Sequence, residues 1–502
     1  MTAETPTKPP LPRRAKRSGL REELGTQSWR ESAALFVFLA YVAIAPLPYG
    51  QITQEGELTL ELFAFAALAL LLFDDPKSSR LRGARVTIAA LLGLVVLGLL
   101  QWLPMPHALL GILSPVSARV YSDTGHTLEA FGRQAPASRI SIAPLETLDT
   151  ILLTLAYIAF FAVAALLLRS RSRRRLFVAV LLGSALIHIL LATLMRSIAV
   201  GAGEEPMAAG RLHGAFVNPN HFAGYLQIAL FVGFGVLWRE VLHYRESSIL
   251  PWRRPAQRFE SLFMRMSLRI LLWGVLAGGI ALTGSRGGIL SAAIVTVVLL
   301  SLAPSHPRVK NRQWSFAAAG TGVIGAAVGL TLLAVRQQPI LRFLSSDPRD
   351  PASDLRFRLW QLSLRAWPHF ALFGSGLGTF REAFRRVQPH DFNYLVEFAH
   401  SDPLQLLVTG GAIGLALGAT AIIAFMATLL RRWRREPRRE ESAFILATFG
   451  AILALMVHGL MEFNLSIPAI PATLACVAGF GWAATQAEEE ETEQRHIQLV
   501  RK

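Results

Sequence analysis

A single cysteine, Cys476, stands in 502 residues, and it falls inside an apolar run. A disulfide within the chain and a cysteine-based metal site are both excluded. Charge is scarce too: Asp, Glu, Lys and Arg make up 17% of the residues, against 52% hydrophobic ones. That balance excludes an ordinary soluble domain. There is no Gly-x-Ser-x-Gly nucleophile elbow and no tight His-x-x-x-His pair, so neither a hydrolase triad nor a metal site is indicated. No internal repeat stands out. The first 30 residues are polar, Pro-rich and basic with no early apolar core, and are not expected to be a cleavable signal.

What the chain has instead is long apolar runs. About twelve reach the ~20 residues that a bilayer requires. They lie near 31–48, 56–73, 84–103, 147–168, 176–200, 221–238, 269–283, 288–303, 315–334, 404–430, 441–463 and 467–484. In lipid only helices or closed barrels satisfy the backbone, and these runs are too continuously apolar for barrel strands. The expected fold is therefore an all-α integral membrane protein of about twelve transmembrane helices.

Of the charged residues, 50 are Lys or Arg and 34 are Asp or Glu, giving a net charge of +16. Such an excess can signal nucleic acid. Here the arginines cluster between apolar runs, where membrane orientation puts them, and no nucleic-acid partner is expected. The connections Asp74–Arg85, Arg169–Arg175, Arg239–Arg269, Pro304–Arg312 and Arg431–Glu441 alternate with loops that are not basic in this way. The positive-inside rule then predicts N-in, C-in topology. Residues 1–30 are expected as a disordered cytoplasmic basic tail and 486–502 as a cytoplasmic acidic tail. Between them, 31–485 form one polytopic membrane domain with outward loops at 104–146, 201–217 and 335–403. The last exceeds ordinary loop lengths and should be structured. Within it Leu355, Leu359 and Leu362, with Trp360, Leu364 and Trp367, recur at helical spacing opposite Asp354, Arg358, Gln361 and Arg365. An amphipathic helix follows from this spacing, with Ser353 as N-cap and Pro368 as its stop, lying on the membrane or capping the bundle. It either gates a site or contacts a lipid donor.

Three outward clusters hold chemistry. In Gly210–Gly224, Asn218 is suited to cap a helix that opens at Pro219, with Asn220 and His221 in its first turn. Arg211 and His213 beside such a helix start would help hold an anion; the plainer reading of Arg211 is a headgroup contact. In Thr283–Leu290, Arg286 lies between glycines and apolar runs. It either lines a cavity at a helix break or snorkels to the interface. In Phe398–Gln405, His400 sits where the long loop re-enters the membrane. Histidine titrates near neutral pH and can take a proton from a hydroxyl, although a His at a helix start is often structural. Asp402 either orients it or caps the helix before Pro403. A fourth cluster, His458–Asn464, carries Glu462, read first as a structural partner for one of the arginines. Gly374–Gly378 lacks the strand–turn–helix setting of a nucleotide loop.

Taken in order, Gly210–Gly224, Thr283–Leu290, Arg356 to Trp360, Phe373–Phe380 and His400–Gly414 resemble the O-antigen ligase and polymerase superfamily of bacterial envelope glycosyltransferases. Gln101–Pro104, Ser114–Pro115 and His458–Pro468 are similar to its members as well. The resemblance implies a GT-C-like membrane fold in the bacterial inner membrane with its active site on the periplasmic side. It implies transfer of a glycan from an undecaprenyl-pyrophosphate carrier to a hydroxyl acceptor such as lipid A core, with no cofactor, nucleotide sugar or metal. Carried over, His400 is the general base and Arg211 and Arg286 bind the pyrophosphate. His213, Asn220, Arg358 and Asp402 are the further expected substrate-binding residues. A polysaccharide polymerase is the nearest alternative. A transporter of an anionic lipid-linked substrate fits less well, because it would favour mid-membrane charge and repeated halves.

Overall fold

The structure of the protein, a computed structural model, describes residues 28–73, 78–201, 211–247, 255–302, 351–390, 392, 395–436 and 438–486. Among these residues there is no strand. The helices are α1 (Trp29–Ile44), α2 (Gln54–Leu72), α3 (Arg85–Trp102), α4 (His107–Leu113), α5 (Pro115–Ala130), α6 (Pro144–Leu167), α7 (Arg171–Gly201) and α8 (Pro219–Ser247). They continue as α9 (Pro255–Leu282), α10 (Arg286–Leu302), α11 (Pro351–Ala366), α12 (Phe380–Phe384), α13 (Asp402–Arg435), α14 (Arg439–Gly459) and α15 (Ala469–Thr485).

Six stretches are long and apolar enough to cross a membrane: Leu81–Trp102, Pro144–Leu167, Arg171–Ala199, Pro219–Glu240, Asp402–Arg435 and Glu440–Gly459. Three shorter apolar helices, Met266–Leu282, Arg286–Leu302 and Ala469–Thr485, stand among them. The chain is a multi-pass membrane protein, and its regular structure among the described residues is all helical. Helices α1 and α2 cover the first two expected spans but fall outside this set: α1 has 16 residues, and α2 carries Glu55, Glu57 and Glu61. The expected span at 315–334 lies outside the described residues, as do most of both tails.

Helix α8 is the axis of the bundle. It packs on α14 and α9, α14 packs on α15, and α15 on α6. Its apolar residues run all round, which is the pattern of a helix with no solvent or lipid face, and Phe222, Leu226, Ile228, Ala229 and Phe231 are all fully buried. Helices α3, α7 and α13 instead turn apolar side chains such as Leu99, Leu190 and Ile423 outward, as lipid contact requires.

At one end of the bundle the arginines read as orientation signals also close ion pairs. Arg173 and Arg169 meet Glu31 at 2.7 and 3.0 Å. Arg174 meets Glu441 at 3.0 Å with both side chains buried, and Arg175 meets Glu440 at 2.7 Å. These pairs tie the starts of α1, α7 and α14 together. The opposite end therefore collects the loops 211–218, 283–285, 398–401 and 460–468.

Two features of that opposite end depart from expectation. The 104–146 loop is mostly helical, as α4 and α5. Helix α11 begins at Pro351, so Ser353 lies inside its first turn and is not the N-cap. Leu359, Leu362 and Ala366 pack with Phe370, Phe380, Phe384 and Val408 into a small second core, while Leu364 is exposed. The helix thus has its own loop as cover.

This small core is fastened to a break in α13. Gly411 adopts φ 66° and ψ −169°, interrupting the helix. The backbone groups freed there are taken up by the incoming strap: Ala412 N–H donates to the Ala371 carbonyl (2.9 Å), and Gly376 N–H to the Thr409 carbonyl (3.1 Å). Gln101 of α3 seals the junction, its amide donating to Thr409 O (3.0 Å) and its carbonyl accepting from Leu377 N–H (2.9 Å). A Cβ on Gly411 would lie 2.3 Å from Leu372 O, and one on Gly374 would lie 2.0 Å from Thr409 O. The Gly374–Gly378 stretch is thus a close-approach segment. Gly411→Ala is expected to lower the melting temperature in detergent, costing about 1–3 kcal/mol for a backbone region essentially reserved for glycine, before any clash is counted. Unchanged melting would show that the break can relax.

Candidate functional site

Two helix starts are brought side by side by their own local chemistry. Asn218 caps α8, its side-chain oxygen accepting from Asn220 N–H at 2.9 Å, and Pro219 takes the first helical position. Ser285 caps α10 in the same way, accepting from Gly288 N–H at 3.1 Å, so Arg286 is the first residue of that helix. The loops before these helices are joined: Leu212 N–H donates to the Leu282 carbonyl (3.2 Å), and Arg211 Nε donates to the Thr283 carbonyl (2.6 Å). Behind Arg286, the Ser285 hydroxyl lies 3.5 Å from His458 Nε2, and His458 Nδ1 lies 3.2 Å from Gln227 Oε1. Gln227 in turn donates to Gly288 O at 2.7 Å. Arg286 is therefore carried on a rigid, hydrogen-bonded base.

Glu462, in the turn between α14 and α15, is the hub of the site. Its side chain is only 1% exposed. Oε1 accepts from Asn220 Nδ2 at 2.6 Å and from Arg356 Nη2, and Oε2 lies 3.4 Å from His400 Nδ1. Burial favours the neutral acid, yet His400 and Arg356 outweigh it and hold the carboxyl below the ordinary glutamate range. A depressed carboxylate stabilises the fold fully above that range, and the stabilisation is lost as pH falls through the folded-state value. Wild-type melting should therefore fall more steeply on acidification below the ordinary glutamate range than that of Glu462→Gln. Parallel curves would show that this ionisation is not coupled to folding.

His400 is held from several sides. Its backbone is left-handed (φ 51°), its carbonyl accepts from Trp360 Nε1 at 3.1 Å, and its ring stands edge-on to Phe463 at 4.7 Å. Phe463 is itself stacked on Phe398 at 4.2 Å. Nδ1 is buried toward Glu462, while the side chain as a whole is 30% exposed. The accessible edge of the imidazole is thus the one bearing Nε2. With Nδ1–H facing a carboxylate, Nε2 is the nitrogen left to accept a proton.

The structure brings Arg211, Asn220 and His400 into one network and sets Arg286 beside it. Other expected residues fall elsewhere. His213 is exposed, and its Nδ1 turns back to the Phe216 carbonyl at 2.8 Å. Asp402 is buried with Oδ1 accepting from Leu465 N–H at 3.0 Å, so it fastens the turn after Glu462, and its backbone N–H donates to Glu462 O (3.1 Å). The carboxylate facing the imidazole is Glu462, not Asp402. Arg358 lies over the Phe392 ring at 4.6 Å, on the small core. It is Arg356, two residues earlier on α11, that reaches Glu462. Asn220, expected on the substrate, has both ends of its amide engaged by protein: Arg211 Nη2 donates to its Oδ1 at 2.6 Å, opposite the bond to Glu462. Arg356 and Phe463 were not singled out as site residues from the sequence. Among the described residues no group of three or more His, Cys, Asp or Glu is arranged to hold a metal ion.

A helical membrane bundle that gathers guanidiniums, helix starts and a carboxylate-backed imidazole at one end has the chemistry to hold an anionic group beside a group able to accept a proton. Comparison with known families makes this specific. A family model described as O-Antigen ligase matches residues 270–419, so over that stretch the chain is similar to the O-antigen ligase family. The match contains Arg286, Arg356 and His400, while Arg211, Asn220 and Glu462 reach the site from outside it. No curated protein matches the chain.

Proposed function

We propose that the protein is an O-antigen ligase-like glycosyltransferase that moves a glycan from undecaprenyl pyrophosphate to an acceptor hydroxyl. In this reading it is an inner-membrane protein with both termini in the cytoplasm, its site on the periplasmic side, and 104–146, 201–217 and 335–403 as outward loops around one membrane domain. The observation that carries the reading is the convergence of Arg211, Arg286 and His400 on one end of the bundle, with Glu462 behind the imidazole. His400 Nε2 takes the proton of the acceptor hydroxyl as its oxygen attacks the anomeric carbon. The bond from that carbon to the pyrophosphate oxygen breaks, and lipid pyrophosphate leaves with its electron pair. Arg211 and Arg286, beside the starts of α8 and α10, neutralise the departing charge. Arg356 balances Glu462. One direct displacement inverts the anomeric centre, and no step calls for a metal or cofactor.

The test is transfer by the purified protein in lipid vesicles, given an undecaprenyl-pyrophosphate-linked oligosaccharide with and without lipid A core. A product joined to core, resolved by mass, is expected. Longer lipid-linked chains formed without core would make the enzyme a polymerase, and absence of any transfer would overturn the reading.

A further inference from the structure

Asn220 occupies an unusual position for a side chain in a membrane bundle. It is 7% exposed, and the two ends of its amide face groups of opposite charge. Arg211 Nη2 lies 2.6 Å from one end and Glu462 Oε1 lies 2.6 Å from the other. A guanidinium has only donors and an ionised carboxylate only acceptors, so the amide can sit one way: Oδ1 toward Arg211 and NH2 toward Glu462. Asp in this place would set a second carboxylate against Glu462, and Leu would leave a buried carboxylate short of one donor. Asn is the residue that satisfies both neighbours at once.

The partners on either side belong to the two halves of the reaction. Arg211 is also fixed by Thr283 O at the start of α10, in the part of the site assigned to the donor's pyrophosphate. Glu462 is fixed by Arg356, and its other oxygen faces His400. We infer that Asn220 is a positioning residue that couples the donor-binding guanidinium of Arg211 to the Glu462–His400 pair, so that charge placed at Arg211 and the orientation of the base are set together. The chain Arg211–Asn220–Glu462–His400 crosses three separate segments, α8 with its preceding loop, the α14–α15 turn and the entry to α13. The first two links are charge-assisted hydrogen bonds, which are stronger and more directional than neutral ones, and the last is the 3.4 Å approach of Glu462 Oε2 to His400 Nδ1. This inference rests on the transfer reading above, and it assigns Asn220 no contact with substrate.

The experiment is a double-mutant cycle in reconstituted vesicles, run in two backgrounds and read as donor KM and kcat separately. Wild-type transfer comes first: its absence overturns the functional reading and this inference with it. Given transfer, Arg211→Ala and Glu462→Gln are expected to be non-additive in kcat/KM by about tenfold, the size found for residues sharing one network. In the Asn220→Ala background the same two changes should multiply. Asn220→Ala alone should raise donor KM and lower kcat together, while Glu462→Gln lowers kcat with little change in KM. Asn220→Ser, which cannot bridge two partners, serves in the same way if the alanine variant is poorly recovered. Additivity in the wild-type background, or coupling that survives loss of Asn220, would overturn the inference.

Discussion

His400→Ala is expected to lower the rate of glycan transfer by about 10²–10⁴-fold, the range that a positioned general base contributes, with little change in the amount of protein inserted. The ring is partly exposed and its main contacts, Glu462 and Phe463, are held by other partners, so its removal should not loosen the bundle. The backbone at this position is left-handed, however, and alanine disfavours it. His400→Asn separates the two effects, because asparagine tolerates left-handed backbone but its amide cannot accept the proton. It should fold at least as well as His400→Ala and be equally slow. Near-normal turnover in both variants, at matched protein amounts, would assign the base to another group or to water.

Arg286→Ala is expected to cost about 10²–10³-fold in kcat, as does removal of one preorganised group that stabilises developing charge. The structural work at the start of α10 is done by Ser285, which caps the helix, and by the His458–Gln227 pair behind it. Abundance and melting should therefore stay near wild type. Arg286→Lys keeps the charge but loses the planar fork that matches a phosphate, and should recover only part of the rate. Full transfer by Arg286→Ala would remove the proposed role in binding the leaving pyrophosphate.

How much of this was legible depends on how local the cause is. The α8 start was readable because Asn218 and Pro219 decide it within three residues. The break before Arg286 was readable from its glycines and flanking apolar runs. Class and helical character followed from apolar run length alone. The hub was not readable in the same way. Glu462 meets Asn220 across 242 positions and Arg356 across 106, distances over which neither periodicity nor propensity speaks. Reading Glu462 as a partner for an arginine was sound chemistry, but which arginine depends on tertiary packing. Helical spacing put Arg358 on the polar stripe of α11, where it was the residue of that helix expected at the substrate. Residues two apart point to different sides of a helix, and the side facing the site carries Arg356. Asp402, the acid nearest His400 in sequence, was the natural candidate to orient it. The fold turns its carboxylate to Leu465 N–H and supplies Glu462 from another segment. The break at Gly411 was hidden because Gly410 and Gly411 read equally well as small residues inside a membrane helix. Only the strap from Ala371 to Gly376 gives them their purpose.

The most direct measurement of the central claim is the anomeric configuration of the transferred glycan, determined by NMR on product made by the purified enzyme from a lipid-pyrophosphate donor. Lipid pyrophosphate release would be counted in the same reaction. Direct attack by a hydroxyl deprotonated at His400 predicts an inverted linkage and one lipid pyrophosphate released per glycan transferred. A retained configuration, or transfer without matching release, would contradict it.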